Sequence, residues 1–204
     1  NDLGGKAVTL SDSSGCIHDP EGITNEKLAF VLDLKNVRRG RIQEYVKKYP
    51  NAKYIAVDPA RDHDPIWTIK ADCAFPSATQ NEINEKDADN LIKGGVKLVA
   101  EGSNMSTTLP GVKRLLEGKM MYGPAKAANA GGVAVSGLEM SQNSQRLGWT
   151  REEVDQRLQG IMKKIHESCV SAADEYGTPG NLLNGANIAG FIKVADAMMD
   201  QGVV

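Results

Sequence analysis

The sequence predicts an α/β protein: an open sheet with helices, followed by a helical C-terminal extension. Two observations predict it. Through the first two-thirds of the 204 residues, short apolar runs alternate with helical patterns, the mark of a sheet built from strand and helix units. Beyond Asn129 no clear strand remains, and apolar residues recur at helical spacing instead. Composition agrees. A hydrophobic share of 41 % is ordinary for a globular protein, and a formal charge of −2 carries no basic footprint for nucleic acid or for an anionic membrane surface. A chain of this length buries roughly 70 % of its unfolded surface and needs neither disulfide nor metal to hold a core.

The elements follow in order. Lys6–Leu10 reads as a strand, preceded by Gly4-Gly5 as the end of an earlier helix. A helical stretch runs from about Glu26 to Lys48, with a break near Gly40. Lys53–Val57 is a short strand, followed by a polar loop around Asp58–Pro65. Ala71–Phe75 is a strand. Asn84 and Asp87 suit the start of a helix that Gly94-Gly95 end. Val96–Ala100 is a strand with an apolar core, Pro110–Glu117 a short helix and Lys119–Tyr122 a further strand. Thr150 and Glu153 form a capping box ahead of a long helix whose apolar face is Val154, Leu158, Ile161, Ile165 and Cys169. Gly177, Pro179 and Gly180 mark a turn, and a last helix spans about Ile188–Gln201.

Cys16, Cys73 and Cys169 are three cysteines at wide spacing with no CxxC pair, which argues against zinc and suits free thiols in a reducing cytoplasm. No apolar run approaches the roughly 20 residues of a membrane helix. The chain lacks an initiator Met and a signal-peptide pattern, and it opens as if cut from something longer.

Four polar corners follow strands. Ser11-Asp12-Ser13-Ser14-Gly15 comes first. In a dinucleotide fold an acidic residue lies about 20 residues beyond the glycine-rich loop and bonds the adenosine ribose. Counting back from Asp12 runs off the front of the chain, so the first strand and the glycine loop of a Rossmann-like sheet are expected to be missing. Ala78-Thr79-Gln80-Asn81 and Glu101-Gly102-Ser103-Asn104 both fall at carboxyl ends of strands, where open α/β sheets bind ligands. Gly123–Gly137 is dense in alanine and glycine, and Gly131-Gly132 stand where strand character gives way to helix, leaving backbone N–H groups free. Ser11–Gly15 alone reads equally well as a turn, Ala78–Asn81 and Glu101–Asn104 taken singly read more readily as turns, and close helix packing is a rival for the glycines of Gly123–Gly137.

Together they resemble the hexameric glutamate dehydrogenases. The stretches that carry the likeness are Ser11–Gly15, Ala78–Glu82, Glu101–Met105, Pro124–Val133 with Ser136–Met140, and Asn184–Phe191, in order over essentially the whole chain. The resemblance implies a partial dinucleotide-binding domain over 1–132 and a helical segment over 133–204 that packs back toward an absent substrate domain. In that family the substrate domain supplies the catalytic lysine and aspartate, so no catalytic residue is assigned here, and the fragment alone is expected to be inactive. Ser11, Asp12, Ser13, Lys35, Thr79, Gln80, Asn104 and Asn129 are the implied cofactor-binding residues. Thr79 and Gln80 line the cofactor path, Asn104 lies near the nicotinamide ribose and Asn129 bonds the nicotinamide amide. Val133 and Ser136 match substrate contacts, with the Ser136 hydroxyl placed for the side-chain carboxylate of glutamate.

The implied reaction moves a hydride between the α-carbon of glutamate and C4 of the nicotinamide, and water then opens an iminium to 2-oxoglutarate and ammonia. Cofactor choice rests on Ser11–Ser13 and the basic residues after it. A lone aspartate favours NAD. Ser13 and Ser14, with Lys35, Arg38 and Arg39, favour a 2′-phosphate and hence NADP, with NAD possible. The resemblance also implies a homohexameric parent with L-glutamate, 2-oxoglutarate and ammonia as its small-molecule partners. Nucleic acid and membrane are not among the expected partners.

His18, His63 and His166 show no matching nucleophile or ligand partner and are read as solvated or structural. Cys16 and Cys73 fall near the cofactor region without a catalytic role, and no metal site is expected. Two rivals remain at this stage. One is a fragment of a branched-chain or aromatic amino-acid dehydrogenase, against which Ser136 and the full Pro124–Met140 stretch argue. The other is a non-catalytic module for nucleotide binding or oligomerisation.

Overall fold

The first strand extends beyond its apolar pattern. In the computed structural model, which describes residues 1–202, β1 spans Thr9–Asp12 rather than Lys6–Leu10, so Ser11 and Asp12 lie within it. The cause is a tight hairpin that the apolar pattern does not announce. Asp12 Oδ1 accepts the Ser14 N–H at 2.9 Å and the Ser14 hydroxyl at 2.6 Å. This Asx-type turn sends the chain back as β2, Gly15–His18. β2 pairs antiparallel with β1, Asp12 opposite Gly15, and on its other edge with β3, Lys53–Ala56. Gly15 is required at the turn because a Cβ there would meet the Ile55 carbonyl oxygen at 2.3 Å.

Between β2 and β3 the expected long helix is broken into pieces. α1, Asn25–Leu32, starts on the Thr24 side chain, which accepts the Lys27 N–H at 3.3 Å. A single π-helical turn, Asp33–Val37, follows. Arg39 takes a left-handed backbone at φ 54°, which stops the helix. Gly40 then passes so close to Leu34 that a Cβ would lie 2.4 Å from its Cδ1. A 3-10 turn, Ile42–Glu44, leads into α2, Tyr45–Lys48. Ile17, Ile23, Val31, Ile42, Tyr45 and Ala52 form the core of this part, with Phe30, Tyr49 and Tyr54 packed against it. Asp19 is buried within it. Burial alone would raise its carboxyl, but Lys27 Nζ and the Tyr45 hydroxyl, each at 2.7 Å, hold it below the usual range.

A second sheet is parallel, in the order β4 (Cys73–Ala74), β5 (Leu98–Ala100), β6 (Met121–Gly123). Parallel neighbours need crossover connections, and these carry α3 (Glu85–Lys93) and α4 (Leu109–Glu117). Thr108 caps α4 at the Gly111 N–H, 3.2 Å away. Past β6 every element is helical: α5 (Ala125–Ala128), α6 (Gly131–Gln145), α7 (Arg151–Glu175) and α8 (Leu182–Gln201). The capping box at α7 forms in both directions. The Thr150 N–H reaches Glu153 Oε2 at 2.7 Å, and the Glu153 N–H reaches Thr150 Oγ1 at 3.2 Å. α8 starts at Leu182, not Ile188, because the Asn181 side chain accepts the Asn184 N–H at 3.0 Å.

The protein is α/β with open sheets and a helical extension. It forms two compact units, Asn1–Ala71 with Lys86–Gly95, and Asp72–Glu85 with the described residues from Val96 on. Among the described residues no helix is long and apolar enough to cross a membrane.

Candidate functional site

The first cluster lies in the unit that holds the antiparallel sheet. Asp12 is its centre. Oδ1 is taken by Ser14, and Oδ2 accepts Lys35 Nζ at 2.7 Å and the Ile42 N–H at 2.9 Å. A carboxylate offers about four acceptor positions, and these bonds occupy them. Burial would raise the Asp12 carboxyl, but the bonds from Lys35, Ser14 and Ile42 outweigh it and hold it well below the usual aspartate range. The π-helical turn presents Lys35, which also donates to the Gly40 carbonyl at 3.0 Å.

Ser13 remains exposed, and its Oγ accepts from Arg41 Nη1 at 2.8 Å. Arg38 turns elsewhere, donating to Asp33 at 2.7 Å with its guanidinium 5.0 Å from the Phe30 ring centre. Serine hydroxyl, turn and guanidinium together make a polar corner that can bond an anion through charge-assisted hydrogen bonds.

The second cluster lies in the unit that holds the parallel sheet. A groove of about 530 Å³ opens at the carboxyl ends of its strands, lined by Ser77, Gly102, Asn104, Asn129, Val133 and Ser136 among others. Its size falls in the range of small-ligand pockets, about 300–1,000 Å³. Asn129 Nδ2 donates to Asn104 Oδ1 at 2.6 Å. That bond leaves Asn129 Oδ1 as an acceptor and Asn104 Nδ2 as a donor, the complement of a ligand carboxamide. Gly132, at the start of α6, has no heavy atom within 4 Å of where a Cβ would sit, so a ligand can approach the backbone there. Val133 is 80 % exposed. The Ser136 hydroxyl makes only a long bond of 3.3 Å to the Gly132 carbonyl one turn back.

The residues singled out in the sequence therefore fall into two groups. Ser11, Asp12, Ser13 and Lys35 share one unit, and Thr79, Gln80, Asn104, Asn129, Val133 and Ser136 share the other. Asn104, Asn129, Val133 and Ser136 meet on one groove. Thr79 and Gln80 are exposed on the neighbouring loop, and the residues of that loop on the groove are Ser77 and Ala78. Arg41 escaped the sequence reading because no periodicity marks it. It acts from an irregular turn after Gly40, and only the glycine break hinted at that turn. Glu101 was read as part of a polar corner, but its side chain is buried and bonded to backbone. Among the described residues no group of three His, Cys, Asp or Glu could hold a metal ion. His63 lies 3.2 Å from Asp62 on an exposed loop.

Residues 1–202 match the Glutamate/Leucine/Phenylalanine/Valine dehydrogenase family. The chain is 56 % identical over 201 residues to the NAD(P)-specific glutamate dehydrogenase of Xylanibacter ruminicola, covering 98 % of this chain and 44 % of that protein. It is 52 % identical over 202 residues to the NADP-specific glutamate dehydrogenase of Haemophilus influenzae, covering 98 % of this chain and 43 % of that protein. The crystal structure of Plasmodium falciparum glutamate dehydrogenase superposes with a TM-score of 0.90 at 45 % identity, covering 98 % of this chain and 42 % of that one. NAD-specific glutamate dehydrogenases are also among the relatives. The chain spans less than half the length of the curated relatives it matches. With the family match running from residue 1 to residue 202, the chain belongs to the glutamate, leucine, phenylalanine and valine dehydrogenases.

Proposed function

We propose that this chain forms the nicotinamide-nucleotide side of an NADP-linked glutamate dehydrogenase, which interconverts L-glutamate with 2-oxoglutarate and ammonia. The observation that carries the reading is the single groove shared by Asn104, Asn129, Val133 and Ser136. A carboxamide-complementary pair and a hydroxyl border one space there, which suits a nicotinamide beside a substrate carboxylate. The nicotinamide, when bound, supplies the hydride acceptor at C4. The residues of the groove orient the two reactants, and Ser136 donates to the side-chain carboxylate of glutamate. Leucine, valine or phenylalanine would leave that hydroxyl without a charged partner, which separates glutamate from the family's apolar substrates.

The preference for NADP rests on Asp12. A 2′-hydroxyl of NAD would have to displace a bond already made to this carboxylate, whereas a 2′-phosphate meets a carboxylate neutralised by Lys35, beside Ser13 and Arg41. Ser11 and Ser13 frame this corner, and Thr79 and Gln80, on the loop next to the groove, would line the cofactor path there. Residues 1–132 then serve the nucleotide, and the helices over 133–204 pack toward the substrate domain of a homohexameric parent. Three free thiols suit a reducing cytoplasm. By themselves the 204 residues are expected to give no glutamate-dependent reduction of NADP⁺, since the groove supplies orientation and no proton-transfer group.

Ser136→Ala in the enzyme that contains this chain tests the reading. Loss of one hydrogen bond to a charged group is expected to raise KM for glutamate roughly tenfold or more, with KM for NADP⁺ little changed. An unaltered KM for glutamate would remove Ser136 from the substrate site and the reading with it.

A further inference from the structure

Glu101 is 2 % exposed, and its carboxylate bonds to backbone rather than to a ligand face. The side chain leaves the end of β5, where the Glu101 N–H continues the ladder to the Gly123 carbonyl at 3.0 Å. Oε1 accepts the Thr107 N–H at 2.7 Å, and Oε2 accepts the Ala125 N–H at 2.8 Å. These two donors belong to the two segments that carry the groove's carboxamides. Thr107 follows Asn104 on one loop, and Ala125 opens α5, which Asn129 closes. The Tyr122 phenol beside the carboxylate is pushed well above its ordinary range, first by burial and then by the charge of Glu101. Charge-assisted bonds of this length are strong, and backbone donors cannot rotate away from them.

We infer that Glu101 is a positioning residue: its two oxygens clamp the Asn104 loop to the start of α5, so that Asn104 and Asn129 meet at bonding distance and face the ligand as a pair. That the ligand is a nicotinamide rests on the proposed function, but the clamp does not. Tying both segments to one buried carboxylate fixes their spacing more tightly than a bond between two exposed side chains can.

Glu101→Gln tests it. A glutamine offers one acceptor and one NH₂ group, so one of the two backbone N–H groups would face a donor. In nitrogen-15 NMR spectra of the protein, the Asn129 carboxamide resonances are expected to move. Exchange of the Thr107 or Ala125 amide is expected to quicken at least tenfold, while the β5 amides stay protected. Ala125→Pro supplies a second route if the first variant does not fold. It removes one donor without touching Glu101, at the first helical position where proline is tolerated, after a Pro124 already extended at ψ 147°. It is expected to displace the same Asn129 resonances. Asn129 carboxamide signals that keep their wild-type positions in a folded variant would overturn the clamp. The readout uses no nucleotide, so failure of the protein to bind NADP would count against the proposed function alone.

Discussion

Asp12 is a carboxylate whose charge is spent inside the protein. Burial works against its ionised form, but Lys35, Ser14 and the Ile42 N–H stabilise that form more, so its folded pKa is depressed. A depressed acid contributes stability that is complete above its unfolded pKa of about 3.9 and is lost as pH falls through the lower folded value. The urea midpoint is therefore expected to drop on acidification below about pH 4, and Asp12→Asn to flatten that drop. A fall of equal steepness in the variant would show that Asp12 contributes nothing there. Arg41→Ala is expected to weaken NADP⁺ binding roughly tenfold or more and to leave NAD⁺ binding nearly unchanged, by titration of each. Equal losses for both nucleotides would take Arg41 away from the 2′-phosphate. Thiol chemistry gives a third check. Burial, with the nearby charge of Asp64, pushes the Cys16 thiol up to about 11, and Cys169 is buried too, whereas Cys73 is exposed. Native protein at pH 8 is expected to label at Cys73 well before the other two, as peptide mapping would show. At this scale the resemblance implied Asp12, Lys35, Asn104 and Asn129 as cofactor-binding residues; the structure pairs Lys35 with Asp12, and Asn129 with Asn104 on the groove. The sequence could not reveal that Lys35 bonds Asp12 or that Arg41 reaches Ser13, since both contacts cross a hairpin and an irregular turn.

At the scale of elements, local chemistry decided what could be read. The capping box at Thr150 and Glu153 was legible because its signal is short-range and polar. Thr150→Ala is expected to cost about 1 kcal/mol in urea denaturation, and Thr150→Ser to restore most of it. The β1–β2 hairpin was not legible from alternation, since the Asp12 side chain specifies its turn through the Ser14 N–H. The helix after Thr24 gives way to a π-helical turn and stops where Arg39 takes a left-handed backbone at φ 54°, a conformation that helical periodicity does not contain. α7 and α8 meet through a close approach. A Cβ on Gly185 would lie 1.9 Å from the Cys169 carbonyl oxygen. Gly185→Ala is therefore expected to destabilise the α7–α8 pair by about 1–3 kcal/mol. An unchanged midpoint in urea would mean that the two helices separate without cost.

For the whole molecule, the family match covers residues 1–202, and the two polar clusters divide between its two compact units. The sequence resemblance implied the residue sets; their division between a unit with an antiparallel sheet and a unit with a parallel sheet belongs to the fold and is not contained in the sequence pattern. The proposed function assigns an adenosine 2′-phosphate to Ser13 and Arg41 in one unit and a nicotinamide to Asn104 and Asn129 in the other. Nitrogen-15 NMR titration of the protein with NADPH and, separately, with 2′,5′-ADP measures this directly. NADPH is expected to shift the Asn104 and Asn129 resonances, and 2′,5′-ADP to shift those of Ser13 and Arg41 while leaving the two asparagines unmoved. If saturating NADPH leaves Asn104 and Asn129 unmoved, the assignment of the groove to a nicotinamide is contradicted.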